Sequence, residues 1–96
     1  MILSFDCKDT KKVFEGTRVR KWSVEIQVVA RRKLFMLNNA QDYQDLIVPP
    51  SNHFEKLKGK KYKGLCSIRI NDQWRIVFKW KDGNASNVRI EDYHIS

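Results

Sequence analysis

The spacing of apolar residues along the chain changes near Pro49-Pro50. Upstream, apolar side chains fall on one face of a helix placed at 100° per residue: Trp22, Ile26, Val29, Ala30 and Leu37. Lys33 interrupts this apolar stripe, and snorkelling of its long side chain to solvent is the simplest explanation. The pattern predicts a long helix from about Val19 to Asn39.

Three shorter elements surround this helix. Met1 to Phe5 is predicted to be a short apolar strand, and Asp9-Thr10 favours the start of a brief helix that Gly16 ends. The segment 42–47 predicts one more helical turn, which Pro49-Pro50 closes because this pair favours extended chain.

After the proline pair the apolar period becomes two, which is typical of strands. Alternation runs over 67–71 and 74–80 and returns at Val88 and Ile90. Asn71-Asp72-Gln73 and Asp82-Gly83-Asn84 supply hairpin turns. We therefore expect an α+β fold in which an N-terminal strand and two helices pack on one face of a mainly antiparallel sheet of four to five strands.

Alternation also predicts which side chains share a face of the sheet. One group is apolar and is expected to face the helices: Ile68, Ile70, Trp74, Ile76, Phe78 and Trp80. The opposite group is polar and basic: Arg69, Asn71, Arg75, Lys79 and Lys81. We expect this second face to be open to solvent.

Composition indicates one domain, residues 1–96, that meets a polyanion. Hydrophobic residues make up 42% of the chain, which is too many for a disordered chain of this charge. Segment 55–81 holds nine Lys and Arg against two acids, or +7 of a net charge of +8. No apolar stretch approaches the roughly 20 residues of a membrane span, and the N-terminus does not resemble a secretory signal, so we expect a cytoplasmic protein.

Metal and cofactor chemistry have little support in the sequence. His53 and His94 are the only histidines, no Cys/His/Asp cluster has ligand spacing, and no Gly-rich phosphate loop is present. We therefore expect no metal and no cofactor. Cys7 and Cys66 are expected to be reduced thiols, with a disulfide or a reactive thiol as the alternatives.

One string of residues resembles a known family. Leu57-Lys58, Gly64, the segment Ser67-Ile68-Arg69-Ile70-Asn71 followed by Trp74-Arg75-Ile76, and the closing Asp92-Tyr93-His94 are similar to the HigB toxins of the RelE superfamily. The resemblance covers nearly the whole chain. It implies the toxin of a type II toxin–antitoxin pair that enters the ribosomal A site and cuts mRNA during translation.

The resemblance also implies partners and site residues. The partner would be a helix-turn-helix antitoxin of the HigA type, through which alone the toxin would meet operator DNA. The family's functional groups fall on Lys58, Arg75, Asp92, Tyr93 and His94. Two positions depart from the family pattern, since Glu55 stands where some relatives carry histidine and Asn71 where some carry arginine.

The residues themselves fit cleavage of RNA through its own 2′-hydroxyl. Arg75 and Lys58 suit stabilisation of charge on the phosphoryl oxygens, with Arg69 as a weaker third candidate. His94 suits proton transfer, Glu55 is the alternative base, and Tyr93 would stack on a base or orient the substrate. The remaining candidates for RNA contact are basic or polar: Asn71, Lys56, Lys60, Lys61, Lys63 and Lys79.

Two other functions fit the same residues. The first is a non-catalytic RNA- or ribosome-binding module that uses the basic face by shape and charge. The second is an inactive protein of the toxin fold that keeps antitoxin binding, and the departures at Glu55 and Asn71 favour it.

Overall fold

The computed structural model describes residues 1–92, and in it three helices precede a sheet. The helices are α1 (Lys8–Phe14), α2 (Val24–Asn39) and α3 (Tyr43–Ile47), and the strands are β1 (Glu55–Lys56), β2 (Leu65–Arg69), β3 (Trp74–Lys81) and β4 (Asn84–Asp92). Short 3-10 turns at Pro50–Asn52 and Lys60–Tyr62 flank β1. This order confirms the α+β class predicted from the change in apolar spacing.

The four strands form one antiparallel sheet in the order β1-β2-β3-β4. Asp82 and Gly83 both have positive φ, 52° and 78°, as a two-residue hairpin turn between β3 and β4 requires. In place of the predicted N-terminal strand, an extended segment runs parallel to β4 and pairs with it through two isolated bridges, Ile2 with Ala85 and Phe5 with Val88. This extended segment covers the β4 edge of the sheet.

Helix α2 begins at Val24, so the expected start at Val19 was wrong by five residues. Ser23 is the N-cap, and its hydroxyl accepts a hydrogen bond from Ile26 N at 3.2 Å. The Gln27 side chain accepts from Val19 N at 2.8 Å and donates to the carbonyl oxygens of Val19 and Trp22. These bonds satisfy backbone groups of Val19 and Trp22 outside a helix, so the helical spacing of Trp22 did not indicate a helix there.

The core lies between the sheet and the two longer helices, since α1 contacts β4 and α2 contacts β3 and β4. The predicted apolar face of the sheet is confirmed, because its residues are buried or pack against the core. The snorkelling expected of Lys33 was wrong. Its ammonium is buried and donates to Asn52 Oδ1 at 2.6 Å, so it is held inside by a partner on the 3-10 turn that precedes β1.

Candidate functional site

The sheet face opposite the helices carries two rows of paired side chains. The strand register places Glu55, Ser67, Val77 and Arg89 in one row, and it places Arg69, Arg75 and Glu91 in the next. We call this surface the polar face. The expectation that it would be fully open was wrong, because Ser67, Val77 and Arg75 are buried.

Arg75 is fixed on the polar face through all three of its guanidinium nitrogens. Nε donates to Ser67 Oγ at 2.9 Å, Nη1 lies 3.3 Å from Glu55 Oε1, and Nη2 donates to the carbonyl oxygen of His53. The Arg75 side chain is 10% exposed, whereas the Glu55 side chain is 42% exposed. The cation is therefore held by three partners, and the carboxylate beside it is accessible to solvent.

The backbone that supplies the His53 carbonyl is itself held by buried groups. His53 has a φ of 44°, in the left-handed region, and it directly follows the fully buried Asn52. Asn52 donates to the Leu46 carbonyl oxygen at 2.9 Å and accepts from the Lys33 ammonium. Burial lowers the pKa of Lys33, with smaller effects in the same direction from the positive charges of Arg32 and Arg69.

A second network on the polar face fastens the loop between β1 and β2 to β4. The Tyr62 hydroxyl donates to Glu91 Oε2 at 3.1 Å, and Arg89 Nε donates to Glu91 Oε1 at 2.6 Å. Arg89 also lies 3.5 Å from Asp6 Oδ2 in the N-terminal segment. The connecting loop is therefore anchored above the sheet.

This loop carries four exposed lysines, which are Lys58, Lys60, Lys61 and Lys63. Within residues 1–92 no acid lies within ion-pairing distance of any of them. The Tyr62 anchor thus holds a cluster of solvated positive charge at the border of the polar face. Such a cluster attracts a polyanion and makes its binding dependent on salt.

The remaining predicted residues are spread more widely. Arg69 shares the row of Arg75 but forms an ion pair with Asp72. Lys79 is exposed four residues farther along β3, about 13 Å from Arg75 at normal strand rise. The Asn71 side-chain oxygen accepts from Gln73 N and Trp74 N, so it stabilises the β2–β3 turn.

Two predicted residues do not join the polar face. Lys56 alternates with Glu55 and places its ammonium 5.0 Å from the centre of the Tyr43 ring, on the helix side. Asp92 pairs with Trp74 across the sheet, and its Oδ2 accepts from Gln73 Nε2 at 2.7 Å. Strand alternation therefore separates both side chains from Arg75. Tyr93 and His94 lie outside the described residues.

Sequence reasoning missed the polar partners, above all Ser67, Tyr62 and Glu91. Ser67 could have been predicted from the sequence, because a hydroxyl on a buried strand needs a hydrogen-bond partner. The β2–β3 hairpin brings Arg75 close to it. No local pattern indicates the bond from Tyr62 to Glu91, because 29 residues separate them.

Other reactive groups contribute little to this site. Within the described part of the chain, no three His, Cys, Asp or Glu side chains are grouped as metal ligands. Cys7 and Cys66 are free thiols, as expected. Burial raises the pKa of Cys66, and the nearby Lys56 ammonium offsets this only in part, so Cys66 is a poor nucleophile. Among residues 1–92, no helix has the length and apolarity to cross a membrane.

Comparison with known proteins identifies the family. Residues 3–94 match the family model for the RelE-like toxin of the type II toxin–antitoxin system HigB. The chain belongs to this HigB-like toxin family. It is 40% identical over 94 residues to Toxin HigB-1 of Vibrio cholerae serotype O1, a match that covers 97% of this chain and 98% of the relative. As a type II toxin, the HigB-like chain has an antitoxin as its partner.

Two further proteins are similar to the HigB-like chain. An uncharacterised protein of Haemophilus influenzae is 35% identical over 65 residues, covering 68% of this chain and 63% of the relative. The crystal structure of a histidine-to-glutamine mutant of YafQ from E. coli superposes with a TM-score of 0.62 at 16% identity, covering 99% of this chain and 94% of YafQ. At that identity the likeness shows the fold alone.

Proposed function

We propose that this HigB-like toxin is a ribosome-dependent, metal-independent endoribonuclease that cuts mRNA in the ribosomal A site and so inhibits translation. The observation that carries the proposal is the fixed Arg75 guanidinium with the solvent-accessible Glu55 carboxylate 3.3 Å away, on the same face as the anchored lysine loop. Toxins of the HigB type are ribonucleases, which supports this interpretation of the site.

In this proposal the RNA supplies its own nucleophile, the 2′-hydroxyl beside the scissile phosphate. Glu55 accepts the hydroxyl proton, because its carboxylate is accessible and Arg75 fixes its position. Arg75 and Lys58 stabilise the charge that develops on the phosphoryl oxygens. His94 protonates the leaving 5′-oxygen, and Tyr93 stacks on a base. The products carry 2′,3′-cyclic phosphate and 5′-hydroxyl ends.

The loop lysines bind the RNA backbone and the ribosome by charge, without selecting sequence. Lys60, Lys61 and Lys63 serve this role best because they share the loop of Lys58. We further propose that the antitoxin is a helix-turn-helix protein of the HigA type and that operator DNA is met only through it. Because the proposed substrate is mRNA on the ribosome, we propose that the toxin acts in the cytoplasm.

The test is in vitro translation of a defined mRNA with purified toxin, and cleavage is read by primer extension with and without ribosomes. We expect cuts only with ribosomes, and we expect Glu55→Gln to slow them by about 100-fold or more, the usual contribution of a general base. Glu25→Gln is the matched control, since Glu25 is exposed on α2 away from the polar face. Cleavage of naked RNA, or products with 5′-phosphates, would contradict the mechanism.

A second candidate function has one observation in its favour. All three guanidinium nitrogens of Arg75 have partners within the protein, as is typical of a structural arginine. On this view the chain is a non-catalytic RNA- or ribosome-binding protein, or an inactive toxin that keeps antitoxin binding. Expression without antitoxin separates these functions, because a protein of the inactive kind does not slow growth. Retained ribosome binding without mRNA cleavage would identify the binding module.

A further inference from the structure

The chain has a second concentration of positive charge, on the helical side of the molecule. Segment 11–32 contains seven Lys and Arg and two acids, so the segment has a net charge of +5. These residues belong to the end of α1, the connection to α2 and the first half of α2. They take no part in the polar face described above.

An apolar groove of about 210 Å³ lies within this basic segment, between the end of α1 and the start of α2. Val13, Val24 and Val28 form its apolar surface, and Arg18 and Arg31 border it. Val24 and Val28 are 49% and 63% exposed. Valines at this exposure beside two arginines form an apolar surface with a cationic border.

The groove opens away from the sheet. At 100° per residue Val24, Val28 and Phe35 lie within about 40° of one another on α2. The buried α2 residues Ala30 and Leu37, which pack into the core, lie about 140° and 160° away on the helix. A partner in the groove would therefore leave the polar face uncovered.

Side-chain bonds hold the walls of the groove in place before any partner binds. Gln27 fastens the backbone of residues 19–22 to α2, as described above. Arg31 Nε donates to the Phe14 carbonyl oxygen at 3.3 Å, and the Arg31 guanidinium lies 4.8 Å from the centre of the Phe35 ring. A pre-formed site binds at a lower entropic cost than one that must be ordered.

We propose that this groove is where the antitoxin binds the toxin, through an amphipathic segment whose apolar side chains pack on Val24 and Val28 and whose acidic side chains pair with Arg18 and Arg31. The argument for this occupant is charge complementarity combined with apolar surface. Nucleic acid would use the arginines but would leave the valines in contact with water, whereas an acidic amphipathic segment satisfies both. The inference rests on the antitoxin partner of the family and not on ribonuclease activity.

The experiment measures the affinity of purified toxin variants for the antitoxin by calorimetry. We expect Val28→Asp to weaken binding by about tenfold or more, because it places a charge in the apolar contact. Val48→Asp is the matched control, since Val48 is 62% exposed and lies outside the groove, and we expect a change of less than about twofold.

Charge reversal tests the acidic character of the partner. Arg18→Glu is expected to weaken binding by about tenfold, and Lys81→Glu, the same change on the exposed β3–β4 hairpin, by less than about twofold. Added salt should weaken wild-type binding more than it weakens binding of Arg18→Glu. Because Arg18→Glu leaves the valines intact, it tests the site even if Val28→Asp folds poorly.

Three results would overturn the proposal. The first is wild-type affinity in both Val28→Asp and Arg18→Glu, and the second is equal weakening in Val28→Asp and its Val48→Asp control. The third is wild-type antitoxin affinity with loss of ribosome binding, which would make the groove a ribosome contact. A failure of the ribonuclease proposal is distinguishable, because the antitoxin affinities do not depend on mRNA cleavage.

Discussion

Replacement of Arg75 by alanine should lower the free energy of unfolding as well as abolish the proposed mRNA cleavage. The substitution removes the bond from Nε to Ser67 Oγ at 2.9 Å, the bond to the His53 carbonyl oxygen and the ion pair with Glu55. The Ser67 side chain is fully buried, so its hydroxyl loses a charged donor in a place that water reaches poorly. The mutation therefore affects folding and the proposed chemistry together.

The magnitude follows from these contacts. A hydrogen bond to a charged group contributes about 1.5–3 kcal/mol, and an ion pair with a largely solvated carboxylate contributes about 0.5 kcal/mol. We expect Arg75→Ala to lower the free energy of unfolding by about 3 kcal/mol, since the freed carbonyl of His53 regains water in part. For a chain of this length that corresponds to a fall in Tm of about 15 °C.

Urea unfolding at pH 7, followed by tryptophan fluorescence, measures this change. Arg69→Ala is the matched control, because Arg69 lies in the same row but pairs with the exposed Asp72, and we expect less than about 0.5 kcal/mol. A free energy of unfolding within about 0.5 kcal/mol of wild type in Arg75→Ala would refute the structural role. Glu55→Gln is therefore the cleaner probe of the proposed chemistry.

Three further predictions concern the loop, a turn and the buried lysine. Tyr62→Phe removes the hydrogen bond from the Tyr62 hydroxyl to β4, and it should speed limited trypsin cleavage in the lysine loop by about fivefold, the effect of about 1 kcal/mol. Tyr43→Phe is the control and should leave the cleavage rate unchanged. Equal cleavage rates in the two variants would show that the bond does not hold the loop. Gly83→Ala should lower the free energy of unfolding in urea by about 2 kcal/mol or more, because φ is +78° and the new Cβ would lie 2.8 Å from the Gln41 carbonyl oxygen. An unchanged free energy of unfolding would mean that the turn relaxes freely. Burial lowers the pKa of Lys33 in the folded state below its unfolded value of 10.5, so the unfolded chain binds this proton more tightly. The free energy of unfolding should therefore rise with pH up to about 10.5, and this rise should disappear in Lys33→Met. An identical pH profile in Lys33→Met and wild type would contradict the prediction.

The resemblance to HigB toxins was stated from the residues and is confirmed by the family match over residues 3–94. It was recoverable because the residues of the hairpin string from Ser67 to Ile76 and the closing Asp92-Tyr93-His94 are together specific for that family. Within the site, Glu55 and Arg75 were predicted and lie 3.3 Å apart. Ser67, which accepts a hydrogen bond from Arg75, was not predicted, because this contact depends on the register of β2 and β3, which the alternation of a single strand does not give.

The sequence by itself determined the order of the helices and of strands β2 to β4, the positions of both hairpin turns and the concentration of charge in segment 55–81, because each depends on residues close together in the chain. It did not predict β1 at Glu55–Lys56. Only the tertiary structure decided that the Lys33 ammonium is buried against Asn52 instead of reaching solvent, and that the Tyr62 hydroxyl donates to Glu91. These outcomes depend on strand pairing and on buried polar partners that are distant in sequence. Local patterns cannot encode them, since the energy of such a contact is realised only when both partners have been brought together and desolvated.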